Sequence, residues 1–281
     1  MARQLTVTPV PVNLLAGQLF DDDDYQDVVD SVVDQVASIA PGLVVMRTTG
    51  GDRAAQQPPA VADAPSSIKT NIASAAGAQD FTTADFNGAI GAGRISPPAK
   101  LELTTSASAN WTTGPATATG LDENGVPITD SIGIDAGGGT TNKGSKFFSR
   151  VLTMHVPAQG GAAGTATLGT STDVTLDGGD VLGVSVHEHK ALVLPAVDNN
   201  ELYEQGTSMP VLRHGRIGVK SETMFRAGDV PMVRVTPNGL NTTLGSVRAH
   251  DNDAGTCVPF RRARYVSSGQ PGDIGVLEVN L

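Results

Sequence analysis

The sequence predicts a mainly β chain: a small antiparallel β-barrel or sandwich base domain with one short helix, plus an inserted Ig-like β-sandwich. Three observations lead there. The first is composition: 33 Gly and 17 Pro against 4% aromatics and 39% hydrophobic residues is what short strands joined by many turns require. The second is alternation in the closing third. In Arg216–Lys220, Ile217 and Val219 share one face and Arg216 and Lys220 the other; in Gly275–Leu281, Leu277, Val279 and Leu281 oppose Glu278 and Asn280. The third is a double shift in composition, which divides the chain into a base domain's first half (1–65), an inserted domain (66–179) and the base domain's second half (180–281).

Taken in order, Gln4–Val12 alternates but carries Pro9 and Pro11, which remove ladder donors, so it reads as an edge strand or extended arm. Asp21-Asp22-Asp23-Asp24 precedes Tyr25, Val28, Val29, Val32, Val33 and Val36, whose spacing predicts an amphipathic helix over Tyr25–Ala37. The acidic run then lies at the positive end of the helix dipole. Pro41-Gly42 turns the chain into a strand at Leu43–Arg47, and Gly50-Gly51-Asp52 forms a turn. Pro, Ala and Gln from Gln56 to Pro65 mark a linker.

The stretch that follows is rich in Thr, Ser, Ala and Gly. Lys100–Thr105 alternates, and Ala116–Thr119 and Pro127–Ile134 flank Asp122-Glu123-Asn124-Gly125, a hairpin signal because Asn-Gly accepts positive φ. Lys146–Val156, Gly164–Leu168 and Asp173–Leu176 complete a series of short strands, the pattern of a small sandwich. Trp111 reads first as a core or rim anchor and second as a ligand-stacking platform. After Asp177-Gly178-Gly179, the run Val181–Val186 is a continuous apolar strand.

Charge narrows the function classes. A formal net charge of −10 repels phosphate backbones and disfavours nucleic acid as the main partner. No run approaches the roughly 20 apolar residues of a membrane helix. No secretion signal is read at the start, so synthesis and folding in a cytoplasm are expected. The single Cys257 rules out an intramolecular disulfide and reads as a small buried residue.

Candidate chemistry is sparse. Ile134-Asp135-Ala136-Gly137-Gly138-Gly139-Thr140 resembles the phosphate loop of the actin and sugar-kinase superfamily. It lies between predicted antiparallel strands, however, and a flexible hairpin is the preferred reading. His187 and His189 share one face of a strand but supply only two of the three or four ligands zinc requires. Asp21–Asp24 and His250-Asp251-Asn252-Asp253 lack the register and closing Glu of a calcium loop. No Ser-His-Asp or Cys-His constellation stands in a catalytic context. The expectation is no enzyme, no cofactor and no metal.

The rejoined base domain has a recognisable order. Leu15-Ala16-Gly17-Gln18-Leu19 comes first and Val181-Leu182-Gly183-Val184-Ser185-Val186 follows the insert. Val211–Val219 and Ala227-Gly228-Asp229-Val230-Pro231-Met232-Val233-Arg234 come next. Leu244-Gly245-Ser246-Val247-Arg248, Ala263–Ser268 and Leu277-Glu278-Val279-Asn280-Leu281 close the series. This pattern, over Leu15–Asp52 and Val181–Leu281, resembles the structural cement (capsid decoration) proteins of tailed bacteriophages. The insert departs from the smaller members. Its Thr119–Asp130 and Lys146–Val151 segments are similar to β-modules of phage virion proteins.

The resemblance implies a non-enzymatic late protein of the virion, made in the host cytoplasm. It would bind the outer surface of the assembled capsid and stabilise it against internal pressure. The implied partners are the major capsid protein and further copies of the chain, a homotrimer being favoured over a dimer, with no nucleic acid and no membrane. Candidate capsid or oligomer contacts are Arg3, Leu5, Val7 and Val10 in the N-terminal arm and the basic patch Arg261, Arg262 and Arg264. The alternative is a tail, fibre or capsid-surface carbohydrate-binding module for host adhesion, with the insert taking a host-surface glycan.

Overall fold

The computed structural model describes residues 16, 17, 19, 27–35, 37–48, 53–178, 181–187, 202–250, 253 and 255–281. They form eighteen strands and no helix. The first three are β1 (Asp27–Val33), β2 (Val44–Arg47) and β3 (Ala54–Gln56). Eight more run through the middle of the chain: β4 (Ala64–Ala73), β5 (Gln79–Thr82), β6 (Ala99–Thr105), β7 (Gly114–Leu121), β8 (Pro127–Ile134), β9 (Thr141–Phe148), β10 (Arg150–Val156) and β11 (Thr165–Val174). The closing set is β12 (Val181–Ser185), β13 (Ser208–Lys220), β14 (Met232–Arg234), β15 (Val247–Arg248), β16 (Cys257–Pro259), β17 (Ala263–Tyr265) and β18 (Ile274–Asn280).

A seven-stranded sheet in the order β1-β3-β2-β12-β13-β18-β17 joins the two ends of the chain. An additional β1–β13 pairing closes its first five strands into a barrel. Closure pairs the β1 edge, one of the sheet edges that otherwise invite aggregation. β13 is long enough to serve twice: residues 208–214 pair with β1 and residues 214–220 with β18. One pairing departs from the antiparallel expectation, since β1 and β3 run parallel.

The predicted helix over Tyr25–Ala37 is corrected: its described core is strand β1. Burial there has period two, with Ser31 and Val33 buried and Val28, Asp30 and Val32 exposed. Valine loses side-chain freedom in a helix and suits a pleated sheet. Here Val29 pairs with Val211 and Val32 with Ala54, so strand partners override the helical spacing. Asp21–Asp24, the Gln4–Val12 arm and Gly50-Gly51-Asp52 lie outside the described residues.

Alternation on β2 and β12 feeds two cores. Val45 and Leu182 join Val33, Ile39, Tyr203, Met209 and Val211 inside the barrel. Val44, Met46, Val181 and Val184 face outward into a larger core that includes residues of the middle strands. Gly183 makes this packing possible: its φ is +146°, and a Cβ would lie 2.1 Å from the Leu212 carbonyl oxygen. Ser185 Oγ closes the barrel end, donating to Ala40 O at 2.8 Å and accepting from Leu43 N at 3.0 Å.

The middle strands form two four-stranded sheets, β5-β10-β7-β8 and β4-β11-β6-β9. Their inward residues, among them Ile72, Leu101, Leu103, Ala118, Ile132, Phe148, Met154 and Leu168, belong to one buried cluster. The predicted hairpin forms as β7–β8, in register from Gly114↔Ile134 to Leu121↔Pro127. Gly125 takes φ +77° at its tip, and Asp122 Oδ1 accepts from Asn124 N and Val126 N, both at 2.8 Å. The single strand expected at Lys146–Val156 is two. At Ser149 the chain leaves β9 in one sheet and enters β10 in the other, with Ser149 N held on Leu121 O at 2.8 Å.

β14, β15 and β16 make a small third sheet fastened to the rest through the main chain. Val44 N donates to Gly245 O at 2.9 Å, and Val61 N to Val235 O at 2.9 Å. Strand β14 of this sheet ends on Arg234, which is fully buried. Its Nε donates to Glu222 Oε1 at 2.9 Å, and its Nη2 to Glu222 Oε2 at 2.6 Å and Asp253 Oδ2 at 2.8 Å. Arg248 adds a second cation, 2.8 Å from Asp253. Buried charge persists only when paired in this way.

Candidate functional site

The sequence motifs that suggested chemistry resolve into packing. In the glycine run, Gly137 N donates to Trp111 O at 2.9 Å, Gly138 N to Asp135 O at 3.1 Å and Gly139 N to Thr105 O at 3.1 Å. All three amides are therefore engaged by carbonyls, whereas gripping a phosphate requires donors that point at the ligand. The run is glycine because it closes over Trp111: at Gly138, φ is +60° and a Cβ would meet the indole at 2.5 Å. Gly164 crowds the indole nitrogen equally, also at 2.5 Å. Trp111 is 1% exposed, which fits the anchor reading and leaves no face for stacking a sugar.

The histidines are dispersed. His155 Nδ1 meets Asp80 Oδ1 at 2.7 Å and His214 Nδ1 meets Asn280 Oδ1 at 3.1 Å. His187 donates its main-chain N–H to Gly17 O, and His189 is outside the described residues. Among the described residues no group of His, Cys, Asp or Glu is arranged to hold a metal ion. Of the run His250-Asp251-Asn252-Asp253, Asp253 belongs to the Arg234 ion cluster, with its carboxyl held below the usual range mainly by the Arg234 hydrogen bond. Cys257, the first residue of β16 in the small third sheet, is buried, and burial pushes its thiol up.

What remains is surface. Arg261, Arg262 and Arg264 precede or lie on β17, where the Ala263↔Val279 register holds them beside β18. Arg261 forms an ion pair with Asp177, and Arg264 with Glu278 at 2.6 Å. Arg262 is half-buried, its main-chain oxygen accepting from Asn280 N at 2.8 Å. It stands between two open grooves. One, of about 600 Å³, is lined by Arg261, Arg264, His214 and Glu278. The other, of about 590 Å³, brings Arg47, Arg94 and Arg150 to Arg262. The expected patch is thus half of a larger arginine strip. Arg47, Arg94 and Arg150 are far from it in sequence and isolated among neutral residues, so no local charge run announced them. Arg3, Leu5, Val7 and Val10 lie outside the described residues.

A closed five-stranded barrel carrying further β-sheets defines the class as a mainly β protein, and charged grooves are the features its described surface presents. The particular family follows from comparison with known proteins. The profile described as "Structural cement protein (E217 gp24/Pam3 gp6)" matches residues 133–280, just over half of the chain. The chain belongs to this family of phage structural cement proteins. The match covers β12 to β18, the second of the two stretches where the resemblance was read; it does not extend to the first, Leu15–Asp52, and it begins at the end of β8, inside the expected insert. No curated protein matches the chain. Family membership assigns a capsid-associated structural role in the virion, a role that calls for no catalysis.

Proposed function

We propose that this chain decorates the outer surface of the assembled capsid and stabilises the shell against internal pressure. Membership of the cement family is the observation that carries this reading. Physical chemistry supports it: a ligand that binds the assembled lattice better than free subunits shifts the balance towards the lattice. Several weak contacts become strong when one oligomer presents them together. In this reading the chain acts as a homotrimer without enzymatic activity. The barrel and C-terminal strands (1–65 and 180–281) grip the major capsid protein and neighbouring copies. The middle strands (66–179) form an Ig-like sandwich that projects outward. The carbohydrate-binding alternative has less support, because its best stacking residue, Trp111, is buried.

The direct test is sedimentation of purified protein with undecorated capsids, followed by heating of the decorated particles. Saturable binding and retention of DNA to a higher temperature are expected. Absence of binding at micromolar concentration would overturn the reading.

A further inference from the structure

The grooves on either side of Arg262 are lined by six of the chain's 13 arginines and by no lysine. This concentration occurs in a protein of net charge −10. Its two halves differ. Around the second groove Arg261 and Arg264 already hold Asp177 and Glu278. Around the first, Arg150 and Arg262 stand with Arg47 and Arg94, which have contacts of their own, and Glu123 is the one carboxylate among the described lining residues. The walls come from different parts of the fold. Arg47 ends β2 of the barrel, Arg262 adjoins β17, Arg94 lies in the connection between β5 and β6, and Arg150 opens β10. Arg150 is fixed on its wall by Nε, which donates to Ala92 O at 3.0 Å. Arginine's planar fork matches a carboxylate bidentately and loses little freedom in doing so.

We infer that this arginine groove, not the Arg261/Arg264 pair, is the docking site for an acidic loop of the capsid shell. The inference rests on the capsid-decoration reading and gives it a site and a partner chemistry. A short acidic loop suits the groove better than a nucleic acid, because a polyanion meets the field of the whole acidic protein while a loop meets only the local strip. An occupant seated there touches barrel and middle strands at once, so binding also fixes one against the other.

The test measures sedimentation with undecorated capsids over a range of salt concentrations, comparing the unaltered chain with Arg150→Glu/Arg262→Glu and with Arg261→Glu/Arg264→Glu. The first pair is expected to weaken binding about tenfold or more and to flatten its salt dependence, the second to do much less. Melting temperature reports whether each variant folds. If loss of the Arg150–Ala92 bond unfolds the protein, Arg262→Glu alone decides the matter. Equal binding by the unaltered chain and the groove variants overturns the inference and leaves the decoration reading standing; no binding by the unaltered chain overturns both. Unchanged capsid binding with a dispersed oligomer identifies a second copy as the occupant and overturns the inference. So does capsid binding abolished by free nucleic acid but not by an aspartate-rich peptide.

Discussion

The two four-stranded sheets and the C-terminal sheet bury carboxylates by different means. In the former, Asp130 on β8 has no cation: it accepts from Ser131 N, Ser145 N, Ser145 Oγ and Lys146 N at 2.7 to 3.0 Å. Burial works to raise its pKa, but these donors outweigh it and hold the carboxyl below its ordinary value. In the latter, Glu222 is held low against the same opposing burial chiefly by Arg234, with Ser246 Oγ and Arg248 assisting. Main-chain and hydroxyl donors satisfy the first carboxylate where Thr, Ser and Gly predominate, and arginines satisfy the second. The comparison teaches that the two regions satisfy a buried carboxylate differently: the middle strands do so with hydrogen-bond donors, and the C-terminal sheet with arginines.

The difference is tested hardest at Arg234. Arg234→Ala leaves Glu222 and Asp253 without their main cation and is expected to cost about 3–5 kcal/mol, read by chemical denaturation. Asp130→Ala leaves several donors at a sheet corner without an acceptor and is expected to cost about 1–3 kcal/mol. If the larger loss fell on Asp130, the hydrogen-bonded site would be the tighter one and the contrast would reverse.

The sequence made the strands legible where alternation and turn chemistry agreed. β7 and β8 follow from Asn124-Gly125, and β18 from Leu277 and Val279. β1 was misread because five valines and a tyrosine at spacings of three and four satisfy a helical pattern as well as a strand, and only the pairing with Val211 and Ala54 decides between them. Barrel closure was hidden for a related reason: it depends on the register of strands more than a hundred residues apart. The site was half legible. Arg261-Arg262-Arg264 is a visible run, whereas Arg94 and Arg150 acquire meaning only when the fold carries them to Arg262.

Acid provides a gentler probe of the same contrast. The folded pKa values of Glu222, Asp253 and Asp130 all lie below their ordinary values of 4.5, 3.8 and 3.8. Each contribution is therefore fully present above the ordinary value and is lost as pH falls through the lower folded one. Denaturation midpoints are expected to hold steady from neutrality to about pH 5 and to fall below about pH 4. Glu222→Gln and Asp130→Asn should each flatten that fall. Glu102 works in the opposite sense. It is 2% exposed, and burial followed by the charge of Asp63 raises its pKa, so its ionisation opposes folding as pH rises through 4.5. Glu102→Gln should accordingly stabilise the neutral protein relative to the acidic one; an unchanged pH profile would show that the site is solvated on unfolding and folding alike.

The smallest effect is expected where ion pairs reach the surface. Arg264 and Glu278 are close at 2.6 Å, yet the arginine side chain is 64% exposed. Water and salt screen such a pair, and ordering two long side chains offsets its attraction. A double-mutant cycle on Arg264→Ala and Glu278→Ala is expected to give a coupling of about 0.2–1 kcal/mol that vanishes in molar salt. The Arg234–Glu222 coupling should survive the same salt, because Arg234 is fully buried and Glu222 only 13% exposed. If both couplings faded together, Arg234 would be reached by solvent in the folded state, and the distinction between a buried ionic anchor and a surface strip available to a partner would fail.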